Sequence, residues 1–354
     1  DEHLWTNSPW QPTEREGRLY GRGAADDKGG VGVHLAALRT FDGKPPVNVT
    51  VLIEGEEEMG SPTLAAILDA HRDELEADVY VVADCGNWQE GLPTFTTSLR
   101  GVVDCVVEVR TLDHGLHSGE YGGLVPDALT SLCRLLATLH DEQGNVAVAG
   151  LVSGTAAQQL DYPEGAIRAE TGVLDGVQLI GSGSPVDRIW AKPSIAVIGL
   201  DTTPIASSSN TLIPSARARV SLRLAPGDTP ENGRDRLIEH LTSHAPFGAQ
   251  VICESREAAA PSLIPFSGPV AEVARGAFRD AYGVEPVLGG TGGSIGMVAD
   301  FQRIFPDAVV LCTAVADPAC RMHSNNESLS LSDWRKAALA EALLLARLGE
   351  GESN

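Results

Sequence analysis

The residues with the densest chemistry lie between Ile53 and Ser61, read I-E-G-E-E-E-M-G-S, where Glu54, Glu56, Glu57 and Glu58 fall within five positions. They close an apolar, β-branched run from Val47 to Ile53, which reads as a buried strand. Gly60, Ser61 and Pro62 then read as a turn and helix start. Carboxylates bunched at the end of a buried strand are costly unless a cation or a proton-transfer reaction uses them. In open α/β sheets, ligands bind outside the carboxyl ends of the strands. A solvated acidic loop is the competing reading.

Other candidates are scattered along the chain. Asp26 lies in the glycine-flanked stretch G-R-G-A-A-D-D-K-G-G before a helical pattern. It suits a cation ligand or a helix N-cap, and Asp27 competes for either role. Asp84 ends an apolar run, where a ligand and a turn residue are both common. His323, in R-M-H-S-N-N-E, and His117, in H-G-L-H-S-G-E-Y-G-G, occupy polar loops and suit ligands or plain surface residues. Arg223 shares a polar strand face with Arg217 and Arg219, and Asn210 reads as a turn residue. Gly289 to Ser294 offers backbone N–H groups suited to an anion, without the Lys-Ser/Thr of a Walker A loop. There is no G-x-S-x-G elbow and no H-E-x-x-H helix. Hard or borderline metal chemistry therefore leads among enzyme classes.

The elements that must position these residues follow a strand–helix–strand rhythm, that of a mostly parallel α/β sheet. Strands are expected at 18–20, 47–53 and 79–83, with helices at 31–41 and 62–75. The texture changes near Ser98. Strands at 102–109, 195–200 and 216–224, a short edge strand at 250–254 and helices at 126–141 and 230–244 form an α+β insertion. The first rhythm returns with helices at 269–282 and 334–348 around a strand at 309–315. The expected organisation is a catalytic part over residues 1–97, an inserted lid over 98–262 and a second catalytic part over 263–354.

Composition narrows the partners. The chain has 354 residues, 43% of them hydrophobic, and a net charge of −22. Such an acidic surface disfavours nucleic acid and anionic lipid. The six cysteines form no C-x-x-C pair, which points to reduced thiols and a cytoplasmic setting. No apolar run approaches a membrane span and no signal peptide is visible. The opening D-E-H-L-W reads as a chain cut at its N-terminus.

Seven stretches in order, G-R-G-A-A-D-D-K-G-G, E-E-M-G-S, A-D-C, G-L-H-S-G-E-Y-G-G, S-L-R-L, G-G-S-I and M-H-S-N-N-E, resemble the aminoacylase/carboxypeptidase G-like di-metal peptidases. The carnosinase-like dipeptidase branch is the most similar. The resemblance implies two divalent ions, zinc first and manganese or cobalt as alternatives. It implies Asp26 as the bridging carboxylate, Glu58, Asp84 and His323 as further ligands, and Glu57 as the general base. His117 is implied as the oxyanion-stabilising residue, often supplied across a dimer interface through the lid. Asn210, Arg223, Gly293 and Ser294 are implied to hold the carboxylate end of a small peptide. The implied reaction is hydrolysis of dipeptides or short peptides bearing a free C-terminal carboxylate.

Two departures stand out. The family's H-x-D metal motif would lie just before Asp1, and Gly296 replaces the proline common after G-G-S-I. An N-acyl amino acid deacylase is the rival within the family. A rival of a different functional class is a catalytically inactive peptide- or metal-binding relative, should no H-x-D lie upstream.

Overall fold

The structure, a computed structural model, describes residues 2–351. The chain opens with the hairpin β1 (Thr13–Arg15) and β2 (Arg18–Tyr20), followed by helix α1 (Lys28–Arg39). Short helices α2 (Leu64–Ala70) and α3 (Arg72–Leu75) lead to strands β3 (Val79–Gly86) and β4 (Thr94–Leu99). The inserted segment contributes β5 (Gly101–Arg110), β6 (Leu116–His117), α4 (Ser118–Tyr121), α5 (Ala128–Ala137) and α6 (Glu164–Thr171). It continues with β7 (Ser194–Asp201), β8 (Thr211–Leu212), β9 (Ser215–Leu224), α7 (Pro230–Ser243) and β10 (Gln250–Ala259). The last part holds β11 (Ser262–Leu263), α8 (Pro269–Tyr282), β12 (Val287–Thr291), α9 (Gly296–Ile304), β13 (Val309–Ala316), β14 (Ser328–Ser330) and α10 (Leu331–Gly351).

Two sheets carry the architecture. One is mixed, in the order β11-β4-β13-β3 with β12 also paired to β4. Its β13–β3 and β12–β4 ladders are parallel, and the other two are antiparallel. Helices α2 and α9 bury leucine and phenylalanine side chains on one face, while α8 and α10 cover the other through Phe278 and Leu344. The lid sheet, β10-β5-β9-β7, is antiparallel throughout. Alternation along β9 buries Val220, Leu222 and Leu224 against α5 and α7 and turns Arg219, Ser221 and Arg223 away.

Three expectations need correcting. Residues 47–53 form no strand. No other strand pairs with them, their backbone groups make no hydrogen bond among the described residues, and Val49, Val51 and Ile53 are exposed. β-propensity without a partner ladder does not make a strand. The glycine stretch 289–291 is not an open loop but part of β12, laddered to β4. Glycine is needed there because a Cβ on Gly290 would lie 2.6 Å from Ser98 Oγ and 2.8 Å from Trp190 Cγ. Its N–H groups are thus largely unavailable to an anion. The edge strand near 250 runs ten residues rather than five, carried past Ser255 by a bulge against β5.

Candidate metal centre

β3 and β13 run parallel, so their carboxyl ends open on the same side. Asp84 stands near the end of β3, and His323 lies in the loop from β13 to β14. Asp26 sits in the loop from β2 to α1, and Glu57 and Glu58 begin a single helical turn, Glu57–Met59. Thus loops from three distant parts of the chain meet one strand end.

The approach of α1 depends on Gly29 and Gly30. A Cβ on Gly30 would lie 2.5 Å from the Ala83 carbonyl oxygen, and one on Gly29 would lie 2.5 Å from that of Ala24. Asp27 caps the helix, its Oδ1 accepting from Gly30 N at 2.9 Å. The ambiguity between the two aspartates is therefore resolved: Asp27 takes the cap and leaves the Asp26 carboxylate to the cluster.

Asp26, Glu58 and His323 each present one ligand atom within 4.8 Å of the others. His323 Nε2 lies 3.0 Å from Asp26 Oδ2 and 3.3 Å from Glu58 Oε2. Glu57 stands beside them. Burial raises its carboxyl pKa, and the charges of Asp26, Glu58 and Glu54 add to the rise while His323 opposes it. Asp84 is pushed up to about 9, first by burial and then by Asp27, Cys85, Asp26 and Glu57. Asp27 rises to about 7, again chiefly by burial.

No hydrogen-bond donor among the described residues reaches the Asp84 carboxylate. A half-buried group of acids with one imidazole and so little compensating positive charge matches the donor set of a hard or borderline divalent cation. The residues present fit such an ion.

The remaining candidates form two other groups. Arg223 Nη1 donates to Ser294 Oγ at 3.3 Å, and Ser294 Oγ donates to the Arg100 carbonyl at 2.6 Å. Gly293 adjoins this pair in the bend after β12. His117 pairs with Thr211 on the β6–β8 ladder, and Asn210, just before β8, accepts through its carbonyl from Ser118 N at 2.9 Å. His117 is exposed, and its Nδ1 accepts from Gly119 N at 3.1 Å. No hydrogen bond or ion pair among the described residues joins this pair to the Asp26 cluster.

Sequence reasoning passed over two residues. Arg100, at the junction of β4 and β5, donates to Gly292 O and Ser194 Oγ, tying the two sheets together beside Arg223. Burial and the neighbouring Arg223 lower its pKa to about 10. The other is Glu327, wholly buried behind Asp26. Its only sequence signal is a charge inside M-H-S-N-N-E that the surrounding polar loop does not require.

A mixed sheet with carboxylates and an imidazole gathered at its carboxyl end, joined to a second, antiparallel sheet, is a setting suited to a metal-dependent hydrolase. Residues 1–347 match the model of peptidase family M20/M25/M40, and the chain belongs to that family. It is a metallopeptidase of the dipeptidase branch. It is similar to a cysteinylglycine-S-conjugate dipeptidase of Corynebacterium striatum, 38% identical over 354 residues, covering 98% of this chain and 78% of the relative. A Beta-Ala-His dipeptidase of Rattus norvegicus is 28% identical over 383 residues, covering 99% and 75%. The fold matches the solved di-peptidase Dug1p of Saccharomyces cerevisiae with a TM-score of 0.82, at 22% identity over 98% of this chain and 76% of that one.

Proposed function

We propose that this chain hydrolyses dipeptides with a free C-terminal carboxylate, using two divalent ions, zinc foremost, held by Asp26, Glu58, Asp84 and His323. The observation that carries the reading is the convergence of Asp26, Glu58 and His323 on one point beside the raised carboxyls of Glu57 and Asp84. Bound there, such ions supply a Lewis acid for the scissile carbonyl and lower the pKa of a water.

The chain's own residues do the rest. Glu57 takes the proton of the attacking water and delivers it to the leaving amine, a task for which a raised carboxyl pKa is suited. Arg223 pairs with the substrate carboxylate, and Ser294 fixes the orientation of its guanidinium. Gly293 offers backbone contacts to the same end of the peptide, with Asn210 reaching it from the lid. His117 donates to the oxyanion of the tetrahedral intermediate.

We take residues 98–262 as the lid, and a homodimer through it as the working assembly. Support for the dimer comes from β7, the outer strand of the lid sheet, where Val197, Ile198 and Leu200 stand exposed on an unpaired edge. A cytoplasmic setting agrees with six free cysteines. Among the described residues no helix is long and apolar enough to cross a membrane.

Chelator treatment of the purified protein should abolish dipeptide hydrolysis, and zinc, manganese or cobalt should restore it. Activity indifferent to the chelator would sink the reading. Parallel assays on dipeptides and on N-acetyl and N-succinyl amino acids should favour the dipeptides. Faster cleavage of the acyl substrates would move the enzyme to the deacylases.

A further inference from the structure

Glu327 has no exposed surface, yet it carries a charge four residues after His323. Its Oε1 accepts from Ala25 N at 2.9 Å and from Asp26 N at 3.2 Å. Its Oε2 accepts from Gly23 N at 3.1 Å and from Arg22 Nη1 at 2.8 Å. Only an ionised carboxylate can accept on both oxygens from this many donors. Arg22 in turn donates through Nη2 to the Ser324 carbonyl at 2.8 Å, and Gly21 N donates to the Glu327 carbonyl at 3.1 Å. The loop before α1 and the loop after β13 are thus bound to each other behind the face that presents Asp26 and His323.

That second loop needs such support. Arg321, His323 and Asn326 all adopt positive φ, between 55° and 60°, without being glycine. A backbone of this kind persists only where its surroundings hold it in place.

We propose that Glu327 is a positioning residue for the metal centre: its buried carboxylate sets the separation of Asp26 and His323 at the value a shared cation needs. The proposal rests on the reading of Asp26 and His323 as metal ligands. The relevant contrast is with glutamine. Because both oxygens of Glu327 accept, a glutamine amide must turn its NH₂ toward N–H donors whichever way it flips. The Asp26 loop then loses half its support while the side-chain volume is unchanged.

The test is a competition titration of metal-free protein with zinc against a chromogenic chelator, alongside circular dichroism and thermal melting. Glu327→Gln should fold and bind zinc about 10- to 100-fold more weakly, the usual effect of losing a residue that orients a ligand. Saturating zinc should bring kcat back toward the wild-type value with KM unchanged. A residue that only stabilises the fold would lower the melting temperature and leave the zinc affinity of the folded protein alone. Asp26→Asn serves as the control. If Asp26→Asn loses zinc and Glu327→Gln does not, the positioning role is wrong and the site reading stands. If Asp26→Asn also binds like wild type, the site reading itself fails. Should Glu327→Gln not fold, Arg22→Met removes one anchor of the same carboxylate: several-fold weaker zinc binding supports the role, and wild-type binding overturns it.

Discussion

The lid and the candidate metal centre are built on opposite terms. In the lid, β5 and β9 run side by side over ten paired positions, and apolar side chains on one face close against α5 and α7. Regular alternation and hydrophobic burial suffice to hold it. At the candidate metal centre, carboxyl groups from separate loops are pressed together, and burial raises the pKa of Asp84, Asp27 and Glu57. That arrangement opposes folding locally and is maintained by polar contacts from behind, notably those of Glu327. Stability and chemistry thus sit in different places in this molecule.

The sharpest way to test the division is to remove Glu57's charge. Glu57→Gln should lower kcat by at least about 10²- to 10⁴-fold, the range for a lost general base. Zinc binding should survive, and the metal-free variant should melt no lower than wild type, because one of several crowded like charges is gone. A metal-free variant that melts well below wild type would break the comparison.

The complementary change is Leu222→Ala, at a wholly buried position in the lid core. It should cost about 2–5 kcal/mol of stability in denaturant titration. The zinc affinity of the folded protein should not move. A matching loss of zinc would mean that the two regions are coupled more tightly than their packing indicates.

The smallest effect lies in the lid's histidine pair. His240 is buried, with its Nε2 3.0 Å from Thr138 Oγ1 and its ring stacked on His244 at 4.0 Å. Burial first, and then His244, lower its pKa, opposed by the hydrogen bond that the ring makes to the Thr138 backbone. The folded state therefore prefers the neutral ring. Its contribution is fully present above the unfolded value near 6.5 and fades as pH falls below it. One such group changes stability by at most about 1.4 kcal/mol per pH unit. Thermal melts between pH 7.5 and 5 should show this slope for wild type and a shallower one for His240→Gln. An equal slope in both would assign the pH dependence elsewhere.

The same division explains what could be read from the sequence. The lid strand β9 and helices α5, α7 and α8 were legible because one face of each is apolar at a fixed period. The strand β4, T-F-T-T-S-L, was not. The hydroxyls of buried Thr94 and half-buried Thr97 are matched locally, Thr94 Oγ1 accepting from Trp88 N and Thr97 Oγ1 donating to Gly289 O, so a central strand carries little hydrophobic signal. β12 was hidden in the same way, its glycines resembling a loop although close packing against Trp190 requires them.

Among site residues, Asp26, Glu58 and His323 were named from motif resemblance, and they do converge. Local patterns alone left each one open. Glu327 was missed because its role depends on the folded path of residues 21–26, which no spacing in the sequence encodes.

One consequence concerns the run from Val47 to Ile53. It reads V-N-V-T-V-L-I, seven residues without a charge or proline, rich in β-branched side chains, and its backbone makes no hydrogen bond among the described residues. Those properties define a segment that adds edge-on to like strands. Lys44 and Pro46 on one side and Glu54 on the other act as gatekeepers against that association. The residues flanking this run thus bear on association at high concentration alongside the net charge of −22.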